Sequence, residues 1–592
     1  MPNRFKARVG EGFDPARVKT AIEATWSRLA EAVWEEFLTG KVAENGRGTR
    51  EIWERQVASF WEVVWVLGEP ETGAADKPTD GAWLPARKNW RSHWPPEEPG
   101  DHCTVMGDWQ ELSGHERPKH PKQPDDQKRF WAELRARRYL GPLELRPDER
   151  LCSIALIKRL FPKLSQGTLQ EALGWVPGGH WRKVGNWPST IYLAAAPWLQ
   201  HVAENSERRA ALKEYVSTVA CGVTDEIFPR LAGESAAKLP SLGPLRAEEL
   251  RVDGSELDAL DGNYFLETSL ANHRATPLSN KEPPRPGEDP DAGLRKKLID
   301  ALRSCLQRVG RRPLPFYSLL LMDGDRLGRL LGKHEAGKLS AALAAFTGAV
   351  ESIVRQNDGF AVYAGGDDVF ALLPVTTAVA CARQLRRAYG ESFQGTFGES
   401  FDSVAMTASC AVVFAHYRLP LRSVLREAHH QLDQVAKDGN GRDSLALALL
   451  KPEGITASWV NPWGEADQSA GPLGDLEKLV DGVAHRAFPG GFFHKLQARL
   501  LPSIDERGRG ESPFSRDELS KLVVGELVAS REQNLADAGD ERAGIEEAAT
   551  ILLGACRHEE RKEGGAVKAT STLQLSSGFL ARFLAKRGME EP

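Results

Sequence analysis

The chain has 592 residues, 41% of them hydrophobic and 27% charged, with a formal net charge of −5. At roughly 150 residues per domain this length predicts three or four domains. No unbroken apolar run approaches the roughly 20 residues that cross a bilayer, and Met1-Pro2-Asn3-Arg4-Phe5 has no signal-peptide core, so no membrane partner and a cytoplasmic location are expected. Seven scattered cysteines without a Cys-x-x-Cys pair indicate neither a disulfide framework nor a closed zinc site. The small negative charge excludes a global attraction to nucleic acid, so any RNA contact must come from local patches or partner subunits. Arg87-Lys88-Asn89-Trp90-Arg91-Ser92-His93-Trp94, where basic and aromatic residues interleave, suits phosphate contact with base stacking; the same run also fits a solvated loop with packed tryptophans.

In chain order, residues 1–128 predict a strand at Arg4–Val9 and two helices, followed by long loops rich in proline, glycine and charge from Gly68 to about Gln127. The first helix carries Val18, Ile22, Trp26, Leu29 and Val33 at helical spacing, and the second, Glu51–Leu67, carries Trp53, Val57, Phe60, Trp61 and Val64. Residues 129–275 predict a helical domain. Residues 276–298 predict a linker, marked by the polar, proline-rich Thr276–Pro290. Residues 451–592 predict a C-terminal helical domain.

Residues 299–450 predict a compact α/β unit. Its order is strand (316–322), helices (326–332 and 339–356), hairpin (359–374), helix (376–389), strand (406–415), helix (420–437) and strand (443–449). Leu339, Leu343, Phe346, Val350 and Ile353 form a core-facing helical stripe. A β-α-β-β-α-β order with a central hairpin is ferredoxin-like. The fold class expected is therefore α+β multidomain, a ferredoxin-like palm with helical domains around it.

The chemistry concentrates in this unit. Gly359–Pro374 reads GFAVYAGGDDVFALLP, two short apolar strands joined by Gly365-Gly366-Asp367-Asp368. Two glycines permit a tight turn, and two carboxylates at its tip suit divalent cations. Upstream, the apolar strand Phe316–Met322 ends on Asp323-Gly324-Asp325. In a ferredoxin-like sheet the first strand lies beside the hairpin, so Asp323, Asp367 and Asp368 should converge. Carboxylates that close repel unless a cation is present, and hard oxygen ligands select Mg²⁺ or Mn²⁺. Two such metals support attack of a ribose hydroxyl on a nucleoside triphosphate, with pyrophosphate leaving. Asp325 either joins this group or caps a helix beginning at Arg326. Lys437, in a last helical turn before Asp438-Gly439-Asn440-Gly441-Arg442, is placed by the helical wheel away from the core. It either holds substrate phosphates or complements the helix dipole. His429-His430 reads as a surface pair, because metal ligands need converging directions.

These residues resemble a known family. Met322-Asp323-Gly324-Asp325-Arg326-Leu327-Gly328, the YAGGDD hairpin and the Lys437–Arg442 turn are similar to the second palm of the large subunit of type III CRISPR effector complexes, the Cmr-type (III-B) version fitting best. Pro2-Asn3-Arg4-Phe5, the Trp53-Glu54-Arg55-Gln56 helix and Glu149–Phe161 also match that version. The resemblance implies two palms separated by a helical domain, with ATP bound between them. It further implies that the GGDD palm joins AMP units through 3′–5′ links into cyclic oligoadenylates when guide RNA in the complex pairs with target RNA. Catalysis and metal binding then fall to Asp323, Asp367 and Asp368, and nucleotide binding to Gly365, Gly366, Lys437 and Asp325. Other Cmr-type subunits, guide RNA and target RNA are the implied partners.

Three departures from the family pattern stand out. No His-Asp dipeptide occurs among the 14 histidines, so the family's HD-type DNase activity is expected to be absent. The first palm elements that usually precede PNRF do not precede it here, so that palm is expected to be truncated, differently built or completed by another chain. The family's zinc-binding cysteines are represented only by Cys103, with His102 or His115 as conceivable co-ligands. Two competing readings follow from the same residues. A GGDEF-type diguanylate cyclase using GTP would call for Glu at the position of Asp368. A non-catalytic scaffold would have no use for a full carboxylate set.

Overall fold

The computed structural model describes the chain apart from residues 1–8, 68–93, 121, 138–139, 141–144, 147, 175–187, 223–237, 255, 273–291, 328–335, 399–405, 465–470, 490, 501–508, 512–513, 531–538 and 563–565. The strand expected at Arg4–Val9, most of Arg87–Trp94, the proline-rich span and most of the 326–332 helix lie outside the described residues. The chain divides into two compact units, Arg4–Asn186 and Trp187–Pro592 with Met1–Asn3. This division cuts the 129–275 span expected as one helical domain. The reason lies in the cores. Phe130, Trp131 and Leu156 pack with Val33, Phe37 and Trp53, whereas Trp198, Leu212 and Phe265 pack with Leu298, Leu302 and Leu306 of α6 (Ala292–Val309).

The smaller unit contains helices α1 (Ala16–Val33), α2 (Thr49–Ala58), α3 (Asp126–Arg135) and α4 (Ser153–Leu160). α2 stops at Ala58, not at Leu67, and 61–67 has no regular secondary structure. The run Trp61-Glu62-Val63-Val64-Trp65-Val66 is β-branched and aromatic, and such side chains lose rotamer freedom against a preceding helical turn. Cys103 is buried, its Sγ accepting from the Met106 N–H at 3.3 Å. The His115 ring lies 3.2 Å from the Asn45 carbonyl. Among the described residues no zinc-type cluster forms around either.

The larger unit is organised on a six-stranded sheet. Its strands are β1 (Phe316–Gly324), β2 (Phe360–Gly365), β3 (Asp368–Leu373), β4 (Ala408–His416), β5 (Ser444–Lys451) and β6 (Gly454–Pro462). The spatial order is β2-β3-β1-β4-β5-β6. The first four strands in that order reproduce the ferredoxin-like arrangement: β1 pairs antiparallel with both β3 and β4. β5 adds parallel to β4, and β6 adds antiparallel to β5.

Both faces of the sheet are buried, which is why its strands read as nearly continuous apolar runs. On one face Leu320, Met322, Val412 and Phe414 pack with Leu339, Phe346 and Val350 of α7 (Ala336–Gln356) and Leu385, Tyr389 and Phe393 of α8 (Ala378–Phe397). On the other, Leu319, Leu321, Val413 and Ala446 pack with Leu193 of α5 (Thr190–Ala203), and with Val424 and Ala428 of α9 (Leu421–His430). Residues Gly337–Gln356 are long and apolar enough by composition to cross a membrane; here one face of that helix belongs to the palm core.

The C-terminal region departs from an all-helical domain. β6 falls in the span 451–592 expected to be helical, because alternating burial lets Ala457 and Trp459 face one core while Val460 faces the other. Further strands follow, among them β7 (Arg557–Arg561) and β8 (Val567–Gln574), which pair antiparallel. Helical residues Leu476, Leu552 and Leu580 share the same apolar cluster as the palm helices.

Candidate active site

The hairpin β2–β3 pairs Gly365 with Asp368, leaving Gly366 and Asp367 as its two-residue turn. Gly366 has φ +69°, a left-handed conformation that glycine adopts without steric cost. A side chain on Gly365 would collide with the Tyr363 ring. Thr347 Oγ1 of α7 donates to the Gly366 carbonyl at 3.3 Å, fixing the turn from behind. Asp323 sits next to last in β1, opposite Ser409 of β4. One ligand oxygen from each of Asp323, Asp367 and Asp368 lies within 4.8 Å of the others. They form the one group of three or more candidate metal ligands among the described residues.

Burial, reinforced by the charge of Asp368, pushes the Asp367 carboxyl up to about 6. Such a site is electrostatically unfavourable when all three groups are ionised and favourable beside cations. Donor chemistry and convergence both fit Mg²⁺ or Mn²⁺, which take carboxylate oxygens and retain waters or substrate oxygens in the remaining positions.

Lys437 overturns its helical-wheel placement. Residues Gln431–Asp438 form a π-helix rather than a continuation of α9. The wider turn carries later side chains off the 3.6-residue wheel. Lys437 therefore reaches the carboxylate cluster, with its Nζ paired to Asp323 Oδ2 and its side chain only 11% exposed. Burial, with Arg442 nearby, lowers the ammonium to about 8; contact with the Asp323 carboxylate acts in the opposite direction.

Asp325 is neither a member of the cluster nor a helix cap. Arg326 has φ +56°, which no right-handed helix start adopts. The Asp325 carboxylate is buried and accepts from Thr407 Oγ1, Ser409 Oγ and the Asp443 N–H, each at 2.9 Å. Its own N–H donates to the Thr407 carbonyl at 2.8 Å. Burial pushes this carboxyl above the ordinary aspartate range. Its work is to join the end of β1 to β4 and to the turn before β5. Asp325→Ala is expected to destabilise the palm by about 2–4 kcal/mol, because three buried donors lose their acceptor. Asp325→Asn, which keeps an acceptor and the shape, should cost less than half of that. Thermal unfolding of both variants checks this, and equal midpoints for Ala and Asn would contradict it.

Sequence reasoning missed the groups behind the Lys437 turn. Asp443, 3% exposed, pairs with Arg386 of α8 and Arg561 of β7, each at 2.7 Å. Gly441 has φ +78° and lies so close to the Arg561 carbonyl that a Cβ would overlap it. The GNGRD composition signals a turn, but nothing local signals partners so far away in sequence.

Residues 316–446 match the family model for the Cas10/Cmr2 second palm domain. The Cmr2 subunit of the Pyrococcus furiosus CRISPR Cmr system is 31% identical over 225 residues, covering 33% of this chain and 24% of that protein. The Saccharolobus solfataricus Cmr2 subunit is 26% identical over 128 residues, 18% of this chain and 12% of its own. These alignments thus span a quarter or less of the relatives' lengths. Two cryo-EM structures share the fold: the type III-B Cmr-beta apo state (TM-score 0.51, 13% identity, 98% of this chain and 69% of that one), and Cmr-beta bound to cognate target RNA (TM-score 0.52, 12% identity, 98% and 70%). Residues 316–446 are thus similar to the second palm domain of Cas10/Cmr2, and the chain that carries them resembles the large palm-domain subunit of type III-B CRISPR effector complexes.

Proposed function

We propose that this chain is the nucleotidyl-transfer subunit of a type III-B effector complex and synthesises cyclic oligoadenylate from ATP when guide RNA in the complex pairs with target RNA. The observation that carries this reading is the convergence of Asp323, Asp367 and Asp368 at one edge of a Cas10/Cmr2-type palm. Bound Mg²⁺ or Mn²⁺ would supply acidification of the attacking ribose hydroxyl and charge stabilisation of the leaving pyrophosphate. The three carboxylates would hold those ions, and the open space beside Gly366 would let substrate approach the backbone. Lys437, paired with Asp323 here, can exchange that carboxylate for a substrate phosphate oxygen. The proposed partners are other Cmr-type subunits, guide RNA and target RNA, in the cytoplasm. The reading assigns no HD-type DNase to this chain, whose 14 histidines include none followed by aspartate. It is preferred over a diguanylate cyclase, which would need Glu in place of Asp368.

The assembled complex incubated with labelled ATP or GTP, with and without target RNA, tests it. Cyclic products from ATP that depend on target RNA are expected; equal turnover of GTP would favour a broader cyclase. A pH dependence accompanies this. Below about 6 the Asp367 carboxyl holds a proton that an incoming cation must displace, whereas above it the ligand is already ionised. Apparent Mn²⁺ affinity is therefore expected to level off above about pH 7 and to fall by up to roughly tenfold per pH unit below about pH 6. Calorimetric titration reads this directly, and an affinity constant across that range would contradict it.

A further inference from the structure

Tyr389 is fully buried on α8, and among the described residues its Oη has no hydrogen-bond partner. A buried hydroxyl without a partner is costly, so the position calls for a reason. The ring is fixed: it meets Phe346 of α7 edge-on with centroids 5.1 Å apart, and Phe393 at 4.9 Å. With the ring held there, Oη stands beside the backbone of Gly324, next to Asp323.

The opening it faces is made by Gly324. A Cβ built on Gly324 would stand within 3.0 Å of both Tyr389 Oη and Asp367 Oδ2, with Asp367 Cβ at 2.8 Å. The hydroxyl and the carboxylate thus confront one another across the space left by a missing side chain. Any other residue at this position would separate them. The phenol carries an O–H that can donate to a carboxylate oxygen.

We infer that Tyr389 is the positioning residue for Asp367, its hydroxyl donating to the inner carboxylate oxygen when the outer one is turned towards a divalent cation. A carboxylate at a turn tip is free to rotate about its Cα–Cβ bond. A donor on its inner side selects the rotamer that presents one oxygen to the metal, and it offsets part of the repulsion from Asp323 and Asp368. Outer partners of this kind orient metal ligands and typically govern affinity by 10–100-fold. Asp368, at the exposed end of β3, lies on the outer side of the turn. The inference rests on the metal-binding reading of the carboxylate triad and adds to it the group that orients one ligand.

The test is Mn²⁺ binding to the full chain, by calorimetry or by the loss of the free-ion resonance, compared among wild type, Tyr389→Phe and Asp367→Ala/Asp368→Ala. Tyr389→Phe keeps the ring contacts and deletes only the hydroxyl. It is expected to weaken Mn²⁺ binding by roughly 10–100-fold, while the unfolding temperature of the metal-free protein stays equal or rises, since an unpartnered buried hydroxyl has been removed. A merely structural hydroxyl would give the opposite pair: a lower unfolding temperature and Mn²⁺ affinity within twofold of wild type. That outcome overturns the assignment of Tyr389 while leaving the triad in place. If wild type and the double Asp variant take up Mn²⁺ alike, the triad reading itself fails and this inference fails with it.

Discussion

Asp367→Ala combined with Asp368→Ala is expected to lower nucleotide product formation by at least ~10³-fold while leaving the palm folded. Two of three converging carboxylates are removed, and with them the charge that, in the proposed function, would hold both ions against substrate phosphates. Loss of a single preorganised electrostatic contact already costs roughly 10²–10³ in rate. The stability effect has the opposite character. Asp368 is exposed and Asp367 is only part-buried at a turn tip, so little packing is lost. The burial that pushes Asp367 up to about 6 means that its ionised form is held at a cost near neutral pH, and alanine removes that cost. The unfolding temperature should therefore be unchanged or slightly higher without metal, and target-RNA binding by the assembled complex should persist. Product release from labelled ATP, measured beside thermal unfolding, separates these effects. Undiminished synthesis by the double variant would exclude this hairpin as the place of chemistry.

The legible part of this site is the part written locally. Strand β1 declares itself by a seven-residue run, apolar apart from Ser318, that ends on a carboxylate, and the hairpin by Gly365-Gly366 between two apolar runs, because turn chemistry and strand burial are near-neighbour effects. The ferredoxin-like order followed from those elements, and the register of β1 against β3 and β4 brings together the carboxylates expected to meet. What stayed hidden depends on distant partners. Lys437 looked outward on a regular wheel, and only the π-helical segment from Gln431 to Asp438 turns it inward. Asp325 carried the same local signature as Asp323, yet its fate is set by Thr407, Ser409 and Asp443. β6 lies within the span 451–592 expected to be helical, and its local sequence does not mark it as a strand. Its strand character comes from a place at the edge of the sheet beside β5. The division near residue 186 was likewise invisible, since helical periodicity shows that a face is buried but not against which neighbour.

The second large effect is expected from Asp443→Ala, a residue outside the carboxylate cluster. Asp443 is 3% exposed and stands between two guanidiniums, Arg386 and Arg561, each 2.7 Å away. Their side chains are 24% and 19% exposed, so solvent screens them only in part. Alanine leaves two like charges facing one another without their shared carboxylate, and removing one member of a buried ionic group typically costs about 3–5 kcal/mol. Partial solvent access moves the expectation to the lower end, about 2–4 kcal/mol. The consequence should extend to the chemistry. Arg561 also donates its N–H to the Asn440 carbonyl at 3.2 Å, and Gly441 rests against the Arg561 backbone. The turn that follows Lys437 is thus held from β7, with Asp443 as the tie between β7, α8 and Asp325. Loosening it should raise amide hydrogen exchange across residues 437–443 and reduce ATP turnover together. The double Asp variant of the hairpin should reduce turnover without that exchange signature. Asp443→Asn keeps a carbonyl acceptor and a residue type that tolerates the φ of +47°, so it should fall between wild type and alanine on both readouts. Stability of Asp443→Ala within about 0.5 kcal/mol of wild type, the range of ordinary surface changes, would show that the two arginines find other partners and that the Lys437 turn is held by something else.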